Sequence, residues 1–202
     1  CYFLEEIKMI KIKNAMNKKD VIIFVIGILT SAFLTAVDLF TKQIIIDKVL
    51  FNSEIVVIKD FFSITHIRNT GAAWGIFSTK TDILSIVTIV CSALVVYFMY
   101  AATVNKPVLF CLSSILAGAC GNLIERIKLH YVTDFLAFNI FGYDFPIFNI
   151  ADICIVVGVL LLIIAVLKGE DTNENNSLYI RFNFSPSRIC WNSNVSSSKH
   201  CN

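Results

Sequence analysis

The stretch FPIFNIADICIVVGVLLLIIAVL, residues 145–167, decides how the rest of the chain is read. A helix needs about 20 apolar residues to cross a bilayer, and this run is long and oily enough. Yet it carries Asn149 and Asp152 near its start. A carboxylate in hydrocarbon costs at least a few kcal/mol, so an acid there calls for a function and a partner.

Three further apolar runs precede it, at 21–37, 83–104 and 107–124, none containing a charge. The 202 residues are 56% hydrophobic and 16% charged. Soluble domains carry about 25% charged residues, so the composition is that of a membrane protein. All four runs are expected to span. The first exceeds the core of a signal sequence, lacks a small-x-small cleavage signal before Asp38, and is expected to be retained. A net charge of +2 gives no reason to expect a nucleic-acid partner. Four of the seven cysteines (Cys91, Cys111, Cys120, Cys154) fall inside the runs and no CxxC pair occurs, so they read as small buried hydrophobes rather than a disulfide or zinc framework.

Lys8, Lys11, Lys13, Lys18 and Lys19 precede the first run, against Lys42 and Lys48 in a comparable stretch after it, which favours a cytoplasmic N-terminus. Four spans return the C-terminus to the same side and leave 38–82 and 125–144 outside. Within 38–82, EIVVIKDFFSITHIRN mixes β-branched and aromatic residues with partial alternation, predicting one or two short strands. Trp74 and Phe77 suit the headgroup layer. Residues 1–20 read as a cytoplasmic leader, 21–168 as the membrane domain, and the Asn- and Ser-rich 169–202 as a disordered tail. Cys1 in place of Met raises a fragment or a misplaced start, with Met9 or Met16 suited to begin a leader.

The polar residues gather on one side. Asp38 and Lys42 lie one turn apart where the first run ends. Asn69 and Gly71 precede the second. Gly118, Asn122 and Arg126 recur at i, i+4 and i+8 along the outer end of the third, Asp134 lies in the loop beyond it, and Asn149 and Asp152 share a face of the fourth. Duller readings stand beside these. Asp38 with Lys42 also reads as an exposed i,i+4 pair, Gly118 as a point of close helix approach, and Arg126 as a snorkelling cation. Glu125 and Asp144 read as solvated loop acids, and His66, His130 and His200 as surface residues outside any metal-ligand spacing. Asp152 resists the dull account, since nothing in its own helix neutralises it; counted from Phe145 it lies roughly 10 Å along the helix.

Two carboxylates brought together cannot both ionise easily, so the pair holds one proton near neutral pH. The ionised member then serves as general base on a water, while the protonated one polarises a carbonyl oxygen and later protonates a leaving amine. Peptide hydrolysis by that route needs neither metal nor cofactor. Asp134 and Asp152 are the candidates. No HExxH occurs for a zinc protease, and a transporter or proton relay, the alternative reading, would spread polar residues through the full depth of the spans.

DLFTK (38–42), NTGAAWGIF (69–77), GACGNLIER (118–126), VTDFLAF (132–138) and FNIADICI (148–155) together resemble the lipoprotein signal peptidases, or signal peptidase II, in order and spacing. The resemblance covers about residues 20–168. It implies an all-α membrane protein: a four-transmembrane-helix bundle with a small extracytoplasmic β-cradle, in the bacterial cytoplasmic membrane, with both termini cytoplasmic. The activity implied is that of a monomeric aspartyl endopeptidase in contact with membrane lipids, cutting diacylglyceryl-modified prolipoproteins before the lipid-bearing Cys without a cofactor. Asp134 and Asp152 would be the catalytic pair, close to the extracytoplasmic surface. Asn69, Gly71, Gly118, Asn122, Arg126 and Asn149 would bind substrate or support the pair, with Asp38 and Lys42 supporting the outer end. Glu125 departs from the family, where many members have Asp before the Arg; the tail is longer than expected, and the start lacks Met.

Overall fold

The computed structural model describes residues 18–71, 81–102 and 106–170. The leader up to residue 17, Trp74, Phe77 and the tail from 171, with His200, lie outside the described residues. The elements in chain order are α1 (Lys18–Lys48), β1 (Glu54–Ile58), β2 (Phe62–Asn69), α2 (Thr81–Ala101), α3 (Lys106–Leu129), β3 (Val132–Ile140), β4 (Tyr143–Asp144) and α4 (Ile150–Glu170).

Among the described residues, four helices are long and apolar enough to cross a membrane. α3 is the central one, packed against the other three and burying residues along its whole length from Val108 to Glu125. By contrast α2 buries only Met99, and α4 turns Val156, Leu160 and Ile163 outward. In water such surfaces would be untenable; as bilayer-facing surfaces they are what a spanning helix presents. Cys91 lies on such an outward face and is exposed, unlike buried Cys111, because α2 has a neighbour on one side only.

With lipid outside, helices gain little from apolar contact and rely on close packing and hydrogen bonds. The Ser31 hydroxyl donates to the Ser113 carbonyl at 2.9 Å, Thr35 to Ala117 at 3.1 Å and Ser114 to Cys154 at 2.8 Å, tying α1 and α4 to α3. Gly118 sits where α3 crosses α4. A Cβ there would collide with the backbone carbonyl oxygen of Ala151, so only a bare Cα permits the approach.

The chain is not wholly helical. β1–β4 form one antiparallel sheet in the order β1-β2-β3-β4, and β2 and β3, from segments far apart in sequence, are its centre. Their register runs Phe62↔Phe138, Ser63↔Ala137 and Ile64↔Leu136, shifts between Ile64 and Ile67, and resumes at Ile67↔Asp134 and Asn69↔Val132. The extra residue on β2 is a bulge, a device that re-aims neighbouring side chains. Ile64, Leu136 and Phe135 pack with Ile45 of α1, Val49 just past its end and Ile150 of α4, so the sheet closes one end of the bundle.

Several expectations need correction. The first helix does not end near Val37 but runs to Lys48, 31 residues or about 46 Å, because its last turns gain a partner in Phe135. The fourth helix starts at Ile150 rather than Phe145. Phe148 is instead held extended by reciprocal backbone hydrogen bonds with Leu136, at 2.9 and 3.2 Å. Asp152 is therefore in the first helical turn. Asp134 is on β3, not in a loop. His66 is buried, not superficial: Nδ1 lies 2.9 Å from the Val49 carbonyl and the ring meets Phe51 edge-on.

Gly118→Ala should force α3 and α4 apart and destabilise the protein by about 1–3 kcal/mol. Thermal unfolding in detergent micelles measures this; an unchanged midpoint would contradict the packing described.

Candidate active site

Asp152 and Asn149 form a reciprocal cap at the start of α4. The Asp152 backbone N–H donates to Asn149 Oδ1 at 3.0 Å, and the Asn149 N–H donates to Asp152 Oδ2 at 3.2 Å. This is the capping-box arrangement with Asp in place of Glu or Gln. Its electrostatic sense is favourable, since a helix N-terminus carries partial positive charge. One local motif thus satisfies two helix-end donors and holds a carboxylate in place.

The Leu136–Phe148 bridge then brings β3 alongside this helix start, and Asn149 reaches across it. Its Nδ2 donates to Asp134 Oδ1 at 2.6 Å and to Asn122 Oδ1 at 3.2 Å. Asn149 therefore touches both Asp134 and Asp152. Asn69 donates from Nδ2 to the other oxygen of Asp134 at 2.8 Å, and Asn122 donates from Nδ2 to Asp152 Oδ1 at 2.8 Å.

An asparagine amide is ambiguous until its surroundings fix which end is which. Here each Oδ1 faces a group that can only donate. Gly71 N–H holds that of Asn69 at 2.9 Å, the Lys42 ammonium that of Asn122 at 2.8 Å, and Asp152 N–H that of Asn149 at 3.0 Å. All three NH₂ groups must then face carboxylates.

Asp134 is 3% exposed. Burial, with the charge of Asp152 adding to it, pushes its carboxyl up from 3.8 to about 7, against the lowering effect of the Asn69 and Asn149 amides. A carboxyl that changes charge near neutrality beside a second carboxylate is suited to acid–base work.

Asp38 and Lys42 are buried at 1% exposure each, so they are not an exposed helix pair. The ammonium lies 2.9 Å from Asp38 Oδ2, off the hydrogen-bond axis, and 3.0 Å from Glu125 Oε2. Asp38 Oδ1 accepts from the Ala151 N–H at 2.8 Å, capping α4 a second time. Glu125, read from the sequence as a solvated acid, is buried, because β3 folds back over the end of α3. It takes the Thr133 N–H at 2.9 Å and hydroxyl at 2.8 Å. Glu125 and Thr133 were not among the expected site residues. A signal existed: Glu125 is three residues from Asn122, on the same helical face, and Thr133 adjoins Asp134. Asp144 is exposed and holds Asn139 at 2.7 Å, and His130 is exposed, both as expected.

Arg126 is half-buried, and its Nε has no hydrogen-bond partner among the described residues. Asp152, Asp134 and Glu125 are the negative charges acting on it. Gly118 lies on the α3–α4 contact, against the Ala151 carbonyl and Ile155.

Comparison with known proteins shows the family. The family model described as signal peptidase (SPase) II matches residues 30–168. The chain is similar to a lipoprotein signal peptidase of Staphylococcus aureus, 43% identical over 75% of this chain and 94% of the relative, and to one of Clostridium tetani, 41% identical over 79% and 99%. A solved bacterial membrane enzyme superposes with a TM-score of 0.69 at 43% identity, covering 74% of this chain and 93% of that one, and a second with 0.64 at 44% identity, covering 70% and 92%. The match runs from within α1 almost to the end of α4 and takes in every carboxylate and amide of the site, and on that ground the chain belongs to the signal peptidase II family.

Proposed function

We propose that the protein removes signal peptides from prolipoproteins by hydrolysis at a shared-proton pair made of Asp134 and Asp152. Family membership carries the overall reaction. The observation that carries the residue assignment is Asn149, which donates to Asp134 from its side chain and to Asp152 from its backbone.

Asp134, held up to about 7, carries the resting proton and polarises the scissile carbonyl oxygen. Asp152, ionised at the helix N-terminus, takes a proton from water as the water oxygen attacks the carbonyl carbon. The tetrahedral oxygen keeps the Asp134 hydrogen bond. The proton taken up by Asp152, and not that of the initially protonated acid as expected from the sequence, then passes to the leaving nitrogen as the C–N bond breaks, returning both acids to their starting states. Arg126, with a donor to spare, binds a carbonyl oxygen of the substrate backbone. Asn69, Gly71, Asn122 and Asn149 hold the pair, and Asp38 with Lys42 holds Asn122 and the start of α4.

The enzyme is a monomer in the bacterial cytoplasmic membrane, with residues 21–168 as the protease domain. The sheet forms an extracytoplasmic cradle over the site, and both termini are cytoplasmic. That placement suits a substrate held by its acyl chains: confinement to the membrane brings the bond before the lipid-bearing Cys to the depth of the first turn of α4, where water enters from outside. The polar residues of the site gather at one end of the bundle, which favours a hydrolytic site over a transport path.

Asp134→Asn and Asp152→Asn should each lower kcat for a lipidated precursor by at least about 100-fold, and the wild type should leave the unlipidated precursor uncut. Gel mobility of a tagged precursor reads both, and near-wild-type cleavage by either variant would rule out the pair. The raised carboxyl makes a separate prediction. Between pH 4 and 7 the folded protein keeps the Asp134 proton while the unfolded chain, titrating near 3.8, has lost it. Stability should therefore fall as pH rises through that window, by up to about 1.4 kcal/mol per unit. Asp134→Asn should flatten that part of the unfolding-midpoint profile.

A further inference from the structure

We propose that Glu125 is a positioning residue for both members of the carboxylate pair, an inference that rests on reading Asp134 and Asp152 as the reacting groups. Two branches leave this one side chain. The first runs to Asp134. Oε2 accepts from the backbone N–H of Thr133 at 2.9 Å and Oε1 from its hydroxyl at 2.8 Å. Thr133 is fully buried and immediately precedes Asp134. Among the described residues, the backbone partners on the other side of β3 lie further along it, with β4 at Asn139 and Ile140, Phe145 at Phe138 and Phe148 at Phe135 and Leu136. Glu125 thus stands where a strand partner is missing and fixes the height of β3 at the residue before the acid.

The second branch runs to Asp152. Glu125 Oε2 lies 3.0 Å from Lys42 Nζ, and the same ammonium donates to Asn122 Oδ1 at 2.8 Å. Lys42 has no acceptor, so Asn122 must turn its oxygen inward and its NH₂ toward Asp152 Oδ1, 2.8 Å away. Without Glu125 the ammonium keeps, among the described residues, only Asp38 within ion-pair distance and is free to swing toward it, releasing the Asn122 amide. Neither branch places Glu125 against substrate. Its contribution is the spacing of the two acids, and an error of about 1 Å there costs on the order of 100-fold in rate.

Replacement by residues of similar length separates this from space filling. Glu125→Gln can keep all three contacts, with its oxygen toward Lys42 and the Thr133 N–H and its NH₂ toward the Thr133 hydroxyl. Glu125→Met fills the same space with none of them. With a lipidated precursor in micelles, the Met variant should lose about 30- to 100-fold in kcat with KM within about threefold of wild type, while Gln stays within about fivefold of wild type in kcat. Should the Met variant fail to fold, Thr133→Val carries the test, losing one hydrogen bond to a charged acceptor and about 5- to 10-fold in kcat at unchanged KM. Wild-type kcat in a folded Met variant, a loss confined to KM, equal losses in Met and Gln, or, with Met unfolded, an unchanged Thr133→Val would each overturn the proposal. Full loss of cleavage in the Asp134 and Asp152 variants alongside any of these would leave the pair intact and remove only the role of Glu125.

Discussion

Buried carboxylates require donors, and asparagine amides are donors that can turn the wrong way. The site depends on how that freedom is removed. Asn69, Asn122 and Asn149 each offer an oxygen and an NH₂ of nearly equal shape. Each oxygen is occupied by a group with nothing but hydrogens to offer: the Gly71 N–H, the Lys42 ammonium and the Asp152 N–H. What remains of each amide can only donate, and it donates to Asp134 or Asp152. Three such bonds, with a fourth from Asn149 to Asn122, link two acids and three amides into one network, so displacing any member leaves another buried group unpaired.

The fold supplies the coordinates for that network by joining elements of very different kinds. Asp152 is placed locally, as half of a cap on its own helix, and only its Oδ1 is reached from elsewhere, by Asn122 of α3. Asp134 is held by non-local means, on a strand whose register is set by β2 and by the Leu136–Phe148 bridge. The stacked rings of Phe62, Phe138 and Phe148 run across the same junction, with centroids 4.7 and 5.7 Å apart, and stiffen it. α1 extends past the apolar run that defines it because its final turns pack beneath the sheet, and Asp38 and Lys42 are thereby enclosed.

Enclosing Asp38, Lys42 and Glu125 is not an efficient way to stabilise a protein. Desolvating three charges costs several kcal/mol per ion, and apolar side chains of similar volume would generally serve stability as well or better. Their value lies in direction: the ammonium orients Asn122, one carboxylate caps α4 at Ala151, and the other holds Thr133. Stability comes instead from α3, whose small residues admit its neighbours closely and whose carbonyls receive hydroxyls from α1.

Much of this was legible in the chain. Apolar runs long enough to span are a property of composition, and all four became helices; β1 and β2 followed from alternation between the first two. Asp152 stood out because an acid in such a run has no local excuse, and the motifs around Asn69, Asn122, Asp134 and Asn149 resemble one family in order and spacing. Other features were not legible. Glu125 and His66 look like surface residues because their partners, Thr133 and Val49, are reached only once a strand folds back or a helix overruns its apolar core. The start of α4 at Ile150 could not be read from a uniformly oily run, since what ends the extended stretch is a backbone bridge to a distant strand. Hydrophobic length and residue type are written residue by residue, and so the sequence alone determined the four long apolar helices, the family and the acids to be considered as candidates. Which carboxylates are buried and which donors reach them depend on contacts across 8 to 113 residues of chain, and only the tertiary structure decided them.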